Sequence, residues 1–445
     1  MNPAVSETGH LQDNTPLMHR LVRVVLFLTS FSWTFNPIED YMGGGTSIEK
    51  IISRMIPMLI VAAYALVGPG RRHLRQIWRP SHWPILWYIL MGVMCGISSI
   101  QPALVAWKGA EIFILLMWIT VSCPTQADTK REFVAIARCV EILLWATIIL
   151  AIINPGLGLR RSASLLPWLQ GYLPMLNPNA IGFLSLLAII RLLFLPAKAK
   201  PIRLLIVSGT LLCSQSRTSY AVMALVLMIF VIEGLRMRAY GRVVVASALA
   251  LCTALFSLGA LDTLMRVIMR GQSIDELDSL SGRTDYWTFA FQYISWFGEG
   301  LATGSRSLIF LDSDTFHKGS VNMHNSFIEA LLGAGYVGAL PFLLMLTLSV
   351  LRQAWRALAH PNIFNAIFLS CAMMFAARGM TSIVLALFSF DMLLLFIFLA
   401  CLNATQNPAT QPQPANAIRP RPIVHTIPLA KQQPSGDNAS TQRIS

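Results

Sequence analysis

Apolar residues in this chain come in long blocks rather than alternating with polar ones. About twelve blocks stand out, with approximate limits 19–35, 51–68, 83–100, 103–121, 134–153, 179–195, 200–216, 218–233, 243–260, 333–350, 362–379 and 382–402. A bilayer core about 30 Å thick is crossed by about 20 mostly apolar residues in helical conformation. The backbone must satisfy its own hydrogen bonds inside lipid, so such blocks form helices rather than isolated strands. The pattern predicts an all-α, polytopic bundle of about 12 transmembrane helices with one large loop on the outer side.

The polar stretches between the blocks set the orientation. Arg71, Arg72, Arg75 and Arg79 follow the second block, and Lys130 with Arg131 the fourth. Lys198, Lys200 and Arg203 follow the sixth, Arg236, Arg238 and Arg242 the eighth, and Arg352 with Arg356 the tenth. Basic short loops face the cytoplasm, which puts both termini inside. Residues 203–233 are read as two spans meeting near Ser214–Ser219, because one long helix would invert every later loop. This places Arg217 at the outer face. The domain plan is then a cytoplasmic N-terminus at 1–18, helices 1–9 over 19–260, an outer loop at 261–332, helices 10–12 over 333–402, and a disordered cytoplasmic tail at 403–445. The tail is rich in Pro, Gln, Ser, Thr and Asn and has little to bury.

Composition narrows the class. Apolar residues make up 55% of the chain and charged residues 12%, about half the usual share of roughly 25%. That composition speaks against a soluble enzyme, a disordered chain and a disulfide scaffold. Thirty-four Lys+Arg against 21 Asp+Glu leave +13, but their placement in loops speaks for membrane orientation and against nucleic acid. The seven cysteines show no metal-like CxxC spacing. No metal and no cofactor are expected.

A few polar residues call for an explanation of their own. Arg217 lies in the polar island Ser214-Gln215-Ser216-Arg217-Thr218-Ser219 between two apolar blocks. Its planar fork suits phosphate, and it reads equally well as an interfacial arginine reaching headgroups. The outer loop carries Ser281-Gly282-Arg283-Thr284-Asp285-Tyr286-Trp287 and then Phe289, Phe291, Tyr293, Trp296 and Phe297. An aromatic belt at the lipid–water boundary accounts for these rings. So does a cleft in which Tyr286 and Trp287 stack on sugars, with Arg283 as a second phosphate ligand. His324 titrates near neutral pH and suits general catalysis, while a structural role at a helix entrance is the plainer reading. Asn325 reads either as an acceptor contact or as a helix cap. Arg160 and Arg161, in the outer connection 154–178, suit an anionic donor or acceptor, or a headgroup. His317, His324, Asp312 and Asp314 match no standard metal spacing.

Taken as an ordered set, these motifs resemble the O-antigen ligase and polymerase superfamily of bacterial polysaccharide assembly. The resemblance rests on Asn177-Pro178-Asn179-Ala180-Ile181-Gly182 followed by Ser216-Arg217-Thr218. It rests also on Gly282 to Trp287 with Gly298-Glu299-Gly300, and on His324-Asn325 followed by Gly335-Tyr336-Val337-Gly338. It implies an inner-membrane glycosyltransferase that works at the periplasmic face without metal on a glycan carried by undecaprenyl diphosphate. Arg217 and Arg283 would hold the donor diphosphate, and His324 would assist the acceptor hydroxyl. A flippase and a chain-length regulator of the same pathway are the implied partners. The Gly-Arg-Thr-x-x-Trp form resembles exopolysaccharide polymerases, with O-antigen ligase as the alternative. A transporter of lipid-linked sugars is the reading from another class; it would carry internal repeats and broken helices, and no repeat is visible.

Overall fold

The computed structural model describes residues 16–31, 48–160, 167–236, 283–305, 308, 323–360, 362–382 and 389–404. The expected ninth block, 243–260, and the tail beyond 404 lie outside the described residues. In chain order the helices are α1 (Leu17–Thr29), α2 (Ile48–Val67), α3 (Trp83–Cys95), α4 (Pro102–Ser122), α5 (Gln126–Ile153) and α6 (Pro178–Phe194). They continue with α7 (Lys200–Ser214), α8 (Arg217–Arg236), α9 (Arg283–Tyr293), α10 (Ser326–Ala359), α11 (Ile363–Thr381) and α12 (Phe390–Ala404). Two short antiparallel pairs interrupt the helices between α5 and α6. In the first, β1 (Leu159–Arg160) lies against β2 (Trp168–Leu169); in the second, β3 (Gly171–Tyr172) lies against β4 (Met175–Leu176).

The expectation of about 12 transmembrane helices is corrected. Among the described residues, four helices are long and apolar enough to cross a membrane: α4, α5, α10 and α11. Three more apolar segments are shorter, at Arg54–Val67, Pro178–Phe194 and Phe390–Ala400. Two physical reasons separate apolar blocks from spans. Several blocks yield short helices: α1 and α3 have 13 residues each and α7 has 15. Others are core rather than lipid-facing. Every side chain from Ile181 to Leu192 in α6 is buried, and so is every one from Phe390 to Ala400 in α12. A helix that is apolar all round and buried all round is an interior helix. The molecule is a helical, membrane-associated protein built around these two central helices.

Side-chain caps mark four of the helix starts. Thr125, Asn177, Asn325 and Asn362 cap α5, α6, α10 and α11, each side-chain oxygen accepting from a first-turn N–H. The buried carboxylates Glu111, Glu132 and Glu141 of α4 and α5 are each paired with a cation. Glu132 accepts from Arg23 Nε at 2.8 Å. Glu111 is 2.7 Å from Lys108, and Glu141 is held between Arg191 and Arg203.

The longest helix is broken. Thirty-four residues of α10 at 1.5 Å each would span about 51 Å, well beyond the apolar core. Gly335 interrupts it with φ 67 and ψ −179, a conformation open essentially to glycine. The break strips backbone groups of their helical partners, and the extended segment 295–301 supplies new ones. Glu299 N–H donates to the Leu332 carbonyl at 2.8 Å, and Gly300 N–H to that of Gly333 at 2.9 Å. In return Tyr336 N–H donates to Ser295 O at 3.0 Å, and Val337 N–H to Trp296 O at 3.2 Å. Irregular backbone inside an apolar body is tolerated where protein groups pair it in this way. The segment then reaches α3, where Leu301 N–H donates to Gly92 O at 3.3 Å.

Candidate functional site

The polar island of the sequence is a sharp turn. Gln215 takes a left-handed conformation, φ 48, between α7 and α8, so residues 203–233 lie in two helices, neither of them among the four of span length. Ser214, Gln215, Ser216 and Ser219 are buried there. Ser219 Oγ donates to Ser216 Oγ at 2.9 Å, and Ser216 N–H donates to Ser214 Oγ at 3.3 Å. Arg217 opens α8 from this turn and is half-buried.

The Asn177-to-Gly182 motif packs directly onto the island. A Cβ on Gly182 would lie 2.6 Å from Ser216 Cβ, 2.7 Å from Ser214 Oγ and 2.8 Å from Ser219 Oγ. Only a residue with no side chain lets α6 approach the turn that carries Arg217. The hairpin region closes the turn from the other side, where Trp168 Nε1 donates to Gln215 Oε1. Arg160 is exposed on β1, directly opposite Trp168 in the ladder. Arg161 lies outside the described residues.

The second and third motifs also meet. Trp287 Nε1 donates to the Met323 carbonyl at 2.8 Å, which ties α9 to the residue before His324. Arg283 stands one helical turn ahead of Trp287, as the first residue of α9; its side chain is outside the described set. Tyr286, Trp287 and Phe289 pack on a small core of Ala290, Leu308, Met323, Ile328 and Leu332. Of the remaining rings, Trp296 is 70% exposed and Phe297 63%, so the aromatic run divides between an inward and an outward face.

His324 sits in a strained position. Its φ is 50, in the left-handed region where most side chains are disfavoured. Flanking bonds hold it there: Met323 N–H donates to Glu329 Oε1 at 2.8 Å, and Asn325 Oδ1 accepts from Phe327 N–H at 3.0 Å and Ile328 N–H at 3.3 Å. Asn325 is therefore the N-cap of α10, the second of its two readings.

One element that the sequence reading missed joins these two halves. Arg378, near the end of α11, lies over the Phe183 ring at 5.2 Å and bonds Asp391 of α12 through Nε at 3.2 Å. Phe183 follows Gly182. On the other side, a Cβ on Gly379 would lie 3.2 Å from the Phe327 ring and 4.0 Å from Ser326 Cβ, and Ser326 Oγ donates to the Ser382 carbonyl. The beginnings of α6, α8, α10 and α12 and the end of α11 thus gather at one end of the bundle. The usable signal was an arginine inside the apolar block 362–379.

Residues 202–343 match the family model described as O-Antigen ligase. The chain carries an O-antigen ligase family domain. This domain contains Arg217, Arg283 and His324; the α6 motif and Arg378 lie outside the matched stretch. No curated protein matches the chain. The matched stretch covers about a third of the chain. Among the described residues no group of three or more His, Cys, Asp or Glu is arranged to hold a metal ion.

Proposed function

We propose that the protein is a metal-independent polysaccharide polymerase. It transfers a glycan from undecaprenyl diphosphate to a hydroxyl of another lipid-linked repeat unit, with inversion at the anomeric carbon. The observation that carries the reading is the gathering, at one end of the bundle, of three motifs that are far apart in sequence. Leaving-group departure puts charge on the diphosphate, and fixed guanidiniums at Arg217 and Arg283 stabilise it as it develops. His324, at the mouth of α10, takes the proton from the acceptor hydroxyl. Arg160, Arg161, Tyr286 and Trp287 contact sugar or anionic groups beside it, and Asn325 fixes the turn that presents His324.

This end of the bundle faces the periplasm of the inner membrane in the proposal, with both termini cytoplasmic. Lys198, Lys200 and Arg203 follow the far end of α6, and Arg352 and Arg356 stand at the far end of α10, as the positive-inside bias requires. A flippase that supplies the substrate and a regulator of chain length are the expected partners.

The family description itself supports a second reading, ligation of the glycan to lipid A–core, with the same donor and the same three residues. Deleting the gene separates the two. A polymerase mutant accumulates single lipid-linked repeat units, whereas a ligase mutant accumulates polymerised lipid-linked chains. The broken α10 is a feature that transporters share, but here segment 295–301 fills the break.

A further inference from the structure

We propose that Arg378 is a third guanidinium of this site and binds a phosphate oxygen of the lipid diphosphate. The inference rests on the glycan-transfer reading above and extends it to a residue outside the matched domain.

Three observations converge. First, the location: one turn of α11 touches both halves of the site. Arg378 lies over Phe183, next to the glycine that abuts the Arg217 turn. Gly379 packs against Phe327 and Ser326, next to the cap that follows His324.

Second, the mode of pairing. Its side chain and that of Asp391 are each 12% exposed, a costly place for two charges unless they serve a purpose. A carboxylate that merely neutralised the arginine would best take the bidentate fork. Asp391 Oδ2 instead takes Nε alone, and among the described residues no acceptor uses Nη1 or Nη2. The Nε bond and the Phe183 ring hold the guanidinium plane, while the two amino groups keep donors for a second anion.

Third, the chemistry. A diphosphate leaving group offers more oxygens than two arginines occupy, and its charge grows during transfer. A further guanidinium, oriented by Asp391, contributes to the same stabilisation.

The test is direct binding of undecaprenyl diphosphate to purified full-length protein in detergent, read on the folded, monodisperse fraction. Arg378→Lys keeps a charge for Asp391 but loses the fork. The expected result is an unchanged melting temperature with binding weakened about tenfold or more, the loss of one charge-assisted hydrogen bond. Arg378→Gln, which retains an N–H donor for Asp391, serves as the second variant and is expected to weaken binding at least as much. Arg217→Ala is run alongside. Wild-type affinity in both Arg378 variants, with binding lost in Arg217→Ala, would make Arg378 a structural ion pair and overturn this inference alone. Failure of the wild-type protein to bind the lipid diphosphate would overturn the functional reading with it. Excess phosphatidylglycerol is the remaining arm: diphosphate binding is expected to persist, and displacement would make Arg378 a headgroup contact and overturn the inference.

Discussion

Replacing Gly335 by alanine tests whether the break in α10 organises the site. The backbone there lies in a region open essentially to glycine, which costs a side-chain-bearing residue about 1–3 kcal/mol. A Cβ would also lie 2.4 Å from the Trp296 carbonyl oxygen and 2.6 Å from Phe297 C and Cα. All three are backbone atoms, so segment 295–301 must shift. Four backbone hydrogen bonds cross this junction, each with a net contribution of about 0.5–1.5 kcal/mol. Losing two of them adds about 1–3 kcal/mol, for a total of about 2–6 kcal/mol. At about 2 °C per kcal/mol for a long chain, the melting temperature in detergent should fall by about 4–12 °C. Gly209 is the matched control: it lies in α7 with nothing within 4 Å of its Cβ position, and Gly209→Ala should be neutral or stabilising by up to about 1 kcal/mol. A cysteine at Ser295 reports the local effect, since its labelling should quicken in the Gly335→Ala background and not in the Gly209→Ala one. Equal melting temperatures and equal labelling in both variants would refute the account of the broken helix.

Gly182→Ala should push the Ser214–Ser219 turn away from α6 and lower turnover by on the order of 10–100-fold through misplacement of Arg217, measured as product formed per folded enzyme. Arg217→Ala should cost about 10²–10³-fold in kcat and Arg217→Lys should remain poor; His324→Ala should lose about 10²–10⁴-fold yet keep residual turnover. Burial of His82, followed by the nearby Arg79 charge, holds its imidazole below the ordinary value. The folded state therefore resists its protonation. Stability should be greatest above about pH 6.5 and fall as pH drops below that value, and His82→Gln should flatten that slope in melting curves taken between about pH 5 and 7.5.

Much of the site was legible because its signals are local. A polar island between apolar blocks marked the turn before Arg217, and the cap reading of Asn325, one of its two, matches the start of α10. Gly298, Gly300 and Gly335, which belong to the sequence motifs, all lie at the 295–301 junction, where a Cβ would meet backbone atoms. What stayed hidden depends on contacts across the chain. Apolar composition does not tell a lipid-facing helix from a buried one, so α6 and α12 were counted as spans. The tenth block was placed at 333–350 because Ser326 and Glu329 disguise the first turns of α10; both are buried and bonded, Glu329 to the Met323 amide. Arg378 gained meaning only when Phe183, Asp391 and Phe327 were seen around it. The hairpin's grip on Gln215 through Trp168 likewise joins residues 47 apart.

The central claim is that this end of the bundle transfers glycan from a lipid diphosphate without a metal ion. The most direct measurement is turnover by purified protein with a defined undecaprenyl-diphosphate-linked repeat unit and a chelator present, with product length and lipid release read by mass spectrometry. The account predicts lengthened lipid-linked glycan, one undecaprenyl diphosphate released per bond formed, and loss of both with Arg217→Ala. Turnover that stops with the chelator, or that persists unchanged in Arg217→Ala, would contradict it.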